Sequence, residues 1–328
     1  MVVARWLFIV VFFAVSSKAM TSVVSRLKGF DVIHVGARPC VKKKNLIVMF
    51  PGNPGIPEYY EEFAVELARA SCTSVAVVGW LGFSATTPLM RVPSADSVSL
   101  EKQIAHGREV VGSLAKDCES VALVGHSIGA LVAMEILKEP PKNTDIRAVV
   151  KVTPFVAENF ENPIYRQKVK SATTPGLGIL LMALALFLRM LPLGLRARVL
   201  ALAGQPTHHM KSSAINLTLD AMTRPPNIYA MLTMGRSEFL SPRILQGPDF
   251  SWLDDHRHKV SAIYAAGTDA WVRKAANDQM QRAGVQTLII DSDHDVPVTS
   301  QTSKACAKLT ADLLKTRGFP SSSSSGTR

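Results

Sequence analysis

Gly125-His126-Ser127-Ile128-Gly129 sets a serine between two glycines, directly after the apolar run Val121–Val124 and at the head of a helix-forming stretch. Strand, sharp turn and helix in that order form the context in which a serine hydroxyl is lifted clear of a sheet as a nucleophile. The glycines leave room for strand and helix to approach. The helix N-terminus favours negative charge developing at Ser127. His126 adjoins the serine, and its side chain should point away from the Ser127 hydroxyl, so it reads as a packing or hydrogen-bonding residue.

A serine that attacks a carbonyl needs two N–H donors where the oxyanion forms. One is expected from the backbone of Ile128, the residue after the nucleophile. The other is expected from Pro51-Gly52-Asn53-Pro54-Gly55, which ends the apolar run Asn45–Phe50. Its prolines carry no N–H, which leaves Gly52 and Asn53, and Asn53 is the choice. A general base must follow. His208, His209, His256 and His258 lie well before the last apolar run, whereas His294 comes just after it, in Asp291-Ser292-Asp293-His294-Asp295. His294 is therefore the expected base. Asp269, 25 residues earlier and just beyond the run Val260–Ala265, is the expected acid that orients it. Asp269 could instead cap the helix that follows, and Asp291, Asp293 and Asp295 sit too near His294 to orient it easily.

Strands are expected at Asn45–Phe50, Thr73–Val78, Ser120–Val124, Ile146–Val152, Val260–Ala265 and Thr287–Ile290. Helices are expected over Glu58–Ala70, from a cap at Asp96 or Ser97 to about Lys116, from the elbow to about Lys138, and over about Ser300–Lys315. Alternation of this kind predicts an α/β class: a mostly parallel central sheet covered on both faces, of α/β-hydrolase type. The stretch from about 155 to 258 holds no clear strand and reads as a helical cap insertion. The hydrolase domain is expected over 30–317, between a hydrophobic segment at 1–20 and a Ser-rich tail at 318–328.

Hydrophobic residues make up 47% of the 328 and charged residues 19%, which excludes a disordered chain. The formal net charge is +11, yet no zinc-finger, RNP or basic-helix pattern appears, so no nucleic acid is expected. From Pro163 to Leu219 there is no Asp or Glu, while Arg166, Lys168, Lys170, Arg189, Arg196, Arg198 and Lys211 surround the uncharged run Leu177–Leu188. Basic residues around an apolar segment suit an anionic lipid surface, and the apolar cap at 175–203 is the expected point of contact. The four cysteines, Cys40, Cys72, Cys118 and Cys306, have no metal or redox spacing and read as ordinary thiols. At the N-terminus, Arg5, the apolar run Trp6–Val15 and Ser16-Ser17-Lys18-Ala19 match a secretory signal or an endoplasmic reticulum anchor.

Three groups of residues resemble the lipid-droplet-associated hydrolase family. They are Pro51–Gly55 with Tyr59, Tyr60 and Phe63; Ser99-Leu100 with Gln103 and His106 ahead of the elbow; and Gly267-Thr268-Asp269-Ala270-Trp271 with the later His294. The resemblance covers most of 45–315. It implies an α/β-hydrolase fold, a serine triad, association with lipid droplets and the endoplasmic reticulum, and a role in neutral-lipid or sterol-ester turnover. The expectation is thus a serine esterase acting on an apolar lipid ester at a lipid surface through Ser127, His294 and Asp269, with Asn53 and Ile128 holding the oxyanion. No metal or organic cofactor is called for. The rival expectations are a weakly active structural or tethering protein of the droplet, and a lumenal or secreted esterase.

Overall fold

The computed structural model describes residues 22–27, 30–36, 44–83, 92–202, 212–247, 251–266, 269–272, 274–298 and 300–320. The segment 1–20, His208, His209, Gly267, Thr268 and the serines of the tail lie outside the described residues.

Among the described residues, eight strands form one sheet: β1 (Ser22–Leu27), β2 (Phe30–Val35), β3 (Lys44–Phe50), β4 (Ser74–Val78), β5 (Cys118–His126), β6 (Ile146–Val152), β7 (Val260–Ala265) and β8 (Gln286–Ile290). Their order is β1-β2-β4-β3-β5-β6-β7-β8. The first two strands run antiparallel to their neighbours and the rest are parallel. This is an α/β-hydrolase fold. Six of the strands are those the apolar runs predict, within about two residues at each end. The antiparallel pair β1–β2 is an addition, and the sheet already begins at Ser22. Polar residues such as Asp31 and His34 interrupt these short runs, and their pairing is set by tertiary contact with β4.

The continuous apolar strands follow from burial on both faces. Val48 and Phe50 of β3, with Val121 and Leu123 of β5, face one core layer, while Ile47, Met49, Ala122 and Val124 face the other. Helices α2 (Leu100–Leu114) and α3 (Ile128–Lys138) cover the first layer, and α1 (Glu61–Ser71) covers the second. Helix α2 starts later than the sequence suggests. Asp96–Val98 forms a separate 3-10 turn, so Ser99 stands at the N-cap.

Between β6 and β7 the described residues form an insertion of helices with no strand. It contains α4 (Pro163–Thr173), α5 (Leu177–Met190), α6 (Leu193–Leu202), α7 (Ser212–Ala221), α8 (Pro225–Phe239) and the short helices α9 (Pro242–Leu245) and α10 (Leu253–His256). The two remaining helices are α11 (Lys274–Arg282) and α12 (Ser300–Thr316), the latter packed on α1. Asn162 caps α4 by accepting the Ile164 N–H at 2.8 Å. Gly176, at φ +77°, turns the chain into α5. The two helices meet at 87°. Among the described residues no single helix is long and apolar enough to cross a membrane. Helix α5 nevertheless carries large apolar side chains in the open: Ile179 is 75% exposed, Leu180 64%, Phe187 53% and Met190 73%.

Candidate active site

Ser127 sits between β5 and α3 at φ 53°, ψ −123°, a backbone conformation that costs a non-glycine residue on the order of 1–3 kcal/mol. The surrounding chain holds it there. Its N–H donates to the Val152 carbonyl at 3.1 Å, and its own carbonyl accepts from Ala130 at 3.0 Å and Phe155 at 3.1 Å. The flanking glycines answer a steric demand. A Cβ on Gly125 would lie 2.3 Å from the Gly129 carbonyl oxygen, and one on Gly129 would lie 2.4 Å from that of Phe50. Only glycine lets α3 begin this close to the ends of β3 and β5.

The other expected residues arrive from the far side of the cap. His294 follows β8 and Asp269 follows β7. His294 Nε2 stands 2.9 Å from Ser127 Oγ. Its Nδ1 stands 2.8 Å from Asp269 Oδ2. Asp269 Oδ1 also accepts the Trp271 N–H at 2.9 Å, which fixes the carboxylate plane. With a proton on Nδ1 donated to Asp269, Nε2 is left as an acceptor facing the serine hydroxyl. The three side chains are close to fully enclosed: Ser127 is 8% exposed, and the side chains of His294 and Asp269 13% and 5%.

A second buried chain of hydrogen bonds runs beside the first. His126 Nε2 lies 3.0 Å from the His294 carbonyl oxygen, which can only accept, so Nε2 carries the proton. His126 Nδ1 is then an acceptor and takes the Tyr60 hydroxyl at 2.7 Å. Tyr60 Oη in turn accepts the Gly52 N–H at 2.7 Å. Burial holds the His126 imidazole neutral by lowering its pKa to about 3, with the nearby His294 adding to the shift. Thr153 Oγ donates to the same His294 carbonyl at 2.8 Å. The loop bearing the base and the turn after β3 are therefore tied together through Tyr60 and His126. The sequence reading singled out His126 for packing or hydrogen bonding, and Tyr60 only through the family resemblance. Thr153 it did not single out.

The tie bears on the oxyanion donors. Tyr60 occupies the Gly52 N–H, which takes that group out of the pair from which the sequence offers an oxyanion donor and leaves Asn53. Ile128 is the first residue of α3, where a helix leaves its N–H groups without intrahelical partners. The Asn53 side chain donates from Nδ2 to the Met231 carbonyl of α8 at 3.0 Å. Beside the site, Phe155, Tyr165, Phe239 and Trp271 form an aromatic cluster with centroids 5.5–6.1 Å apart, and the Trp271 ring lies 5.8 Å from that of His294. His256 is engaged elsewhere, with the Trp252 carbonyl at 3.2 Å. Among the described residues no group of three or more His, Cys, Asp or Glu side chains could hold a metal ion.

Comparison with known proteins bears on the family and the fold. The model of the family described as "Lipid-droplet associated hydrolase" matches residues 43–297. The chain belongs to that family. A lipid droplet-associated hydrolase of Drosophila melanogaster is 26% identical over 130 residues, 38% of this chain and 42% of that protein. The match thus spans less than half of that relative. Among solved structures, a haloalkane dehalogenase, DatA, from Agrobacterium tumefaciens C58 superposes with a TM-score of 0.63 at 14% identity, covering 91% of this chain and 98% of that one. A mutant of a putative epoxide hydrolase from Pseudomonas aeruginosa gives 0.61 at 16% identity, covering 92% and 97%. At these identities the likeness shows the fold alone. The chain thus has an α/β-hydrolase fold and belongs to a family described as a lipid-droplet associated hydrolase.

Proposed function

We propose that this family member is a serine esterase that cleaves carboxylic esters of apolar lipids, sterol esters or acylglycerols, at a lipid-droplet or endoplasmic reticulum surface. The observation that carries the reading is the continuous path from Ser127 Oγ through His294 to Asp269, with hydrogen-bond distances of 2.9 and 2.8 Å. Ser127 attacks the ester carbonyl while His294 Nε2 takes its proton. Asp269 stabilises the imidazolium. The backbone N–H groups of Asn53 and Ile128 hold the oxyanion. His294 then protonates the departing alcohol, and water, activated by the same imidazole, releases the acid and restores Ser127. An alcohol nucleophile favours acyl chemistry over the reactions named for the structural neighbours. Attack of a serine on an epoxide or alkyl halide would leave an ether, which water does not cleave.

Two features support an apolar substrate and a lipid surface. The aromatic cluster of Phe155, Tyr165, Phe239 and Trp271 lies against the triad. The exposed apolar residues of α5 lie in a stretch with basic and no acidic residues, which suits an anionic monolayer. That same face favours a second reading, a droplet protein whose main role is attachment.

Labelling of the purified protein by a fluorophosphonate, with lipid present, separates the two readings. Labelling of wild type that Ser127→Ala and His294→Ala both abolish is the expected result. A folded wild type that takes no label overturns the esterase reading and leaves attachment.

A further inference from the structure

Helix α8 has two working faces. Inward, it meets the turn after β3: Met231 offers its carbonyl to Asn53 Nδ2 at 3.0 Å, and a Cβ on Gly235 would sit 3.5 Å from that nitrogen. Outward, Tyr229, Leu232, Thr233, Arg236 and Leu240 wall a groove of about 630 Å³. At 100° per residue the stripe of Tyr229, Leu232, Thr233 and Arg236 lies about 130° round the helix from that of Met231 and Gly235. The opposite wall is the bend between α4 and α5, from Ser171 to Ile179, and the groove also meets the start of α2 at Leu100 and Glu101. None of Ser127, His294, Asp269 and Asn53 lines this groove, so it is distinct from the triad.

Its chemistry is amphipathic. Leu232, Leu240 and Ile179 supply apolar wall, and Leu240 and Ile179 are open to solvent at 51% and 75%. Two opposite charges border the groove, and only one of them is satisfied. Glu101 is held by Arg243, Nε to Oε1 at 2.9 Å. Arg236 is exposed, and among the described residues its guanidinium has neither an ion pair nor a hydrogen bond. The adjoining cap adds cations and no carboxylate from Pro163 to Leu219. A volume of this size is that of a small-molecule site, and a lone guanidinium at the edge of an apolar trough matches a carboxylate on a hydrocarbon chain.

We propose that the groove between α8 and the α4–α5 bend binds a long-chain fatty carboxylate, its chain along Leu232, Leu240 and Ile179 and its head group on Arg236. If Ser127 cleaves lipid esters as proposed above, this ligand is the acid product of the chain's own reaction. The site itself does not depend on that activity.

The test is titration calorimetry of the full-length Ser127→Ala protein with dodecanoate below its micellar concentration, which reads binding whether or not Ser127 is a nucleophile. Arg236→Gln is expected to weaken the affinity about 10-fold, the equivalent of about 1.4 kcal/mol. Dodecanol, of the same chain length without the charge, is expected to bind Ser127→Ala more weakly by a similar factor. Leu232→Asp is expected to abolish binding while the far-ultraviolet dichroism stays unchanged. Equal affinity for dodecanoate in Arg236→Gln and its parent overturns the proposal. So does binding that disappears only when Ser127 in wild type is blocked by the phosphonate. Binding to phosphatidylserine vesicles that depends on Arg236, without binding of dodecanoate, would also overturn it, in favour of a membrane head group.

Discussion

Tyr60→Phe removes one oxygen and strands two buried groups. In the native chain that oxygen accepts the Gly52 N–H at 2.7 Å and donates to His126 Nδ1 at 2.7 Å. Tyr60 is 2% exposed and His126 3%, so water cannot readily replace it. Each unsatisfied donor or acceptor costs about 1–3 kcal/mol, and the loss of the pair is expected to destabilise the fold by roughly 2–4 kcal/mol after local adjustment. At roughly 2–4 °C per kcal/mol for a domain of this size, the melting temperature falls by roughly 5–15 °C. The same oxygen anchors the turn that carries Asn53, so the rate of fluorophosphonate labelling at Ser127 is expected to fall by about 10-fold, less than the roughly 100-fold or more lost when an oxyanion donor is removed outright. Calorimetric scanning and timed labelling on one preparation read both quantities. A melting temperature within 1 °C of wild type together with an unchanged labelling rate would refute the tie between the two loops.

Other substitutions probe the remaining parts. Asp269→Asn keeps the shape of the site but favours the wrong His294 tautomer. Labelling at Ser127 is expected to slow by about 10⁴-fold, as in the handling of such triads generally, with little change in the melting temperature. Ile179→Lys with Met190→Lys alters side chains that are 75% and 73% exposed, so stability should stay within about 0.5 kcal/mol while flotation with triolein droplets is lost. Glu238 is buried beside Asn53, and burial raises its carboxyl pKa to about 8 against an ordinary 4.5. The folded chain therefore holds a proton that the unfolded chain releases between these values, and stability falls as the pH rises from about 4.5 to 8. Glu238→Gln removes that fall, by up to about 1.4 kcal/mol per pH unit, in urea titrations at pH 5 and pH 8.

The parts of the site that the sequence disclosed are those whose constraint is local. Glycines four residues apart and a strand of Val-Ala-Leu-Val announce the elbow, because the clash that forbids a Cβ at Gly125 arises within four residues, at Gly129. Asp269 and His294 were legible because each follows an apolar run that forms a parallel strand of the sheet, β7 and the edge strand β8. The tie from Gly52 through Tyr60 to His126 joins residues up to 74 positions apart, and nothing in a short window marks Tyr60 as different from Tyr59. The β1–β2 pair was missed for a related reason. Its strands take their conformation from β4 rather than from their own composition. The outer groove of α8 was hidden as well, since Arg236 gains its meaning from Arg243 having taken Glu101.

The insertion of the cap between β6 and β7 also sets an order in time. A ribosome releases the elbow first, the apolar helices of the cap next, and the base last, because Leu202 precedes His294 by 92 residues. Synthesis at roughly 5–20 residues per second leaves an interval of several seconds in which α5 has emerged and His294 has not. If α5 seats on a lipid surface as proposed, a nascent chain would meet that surface before it has an imidazole beside Ser127.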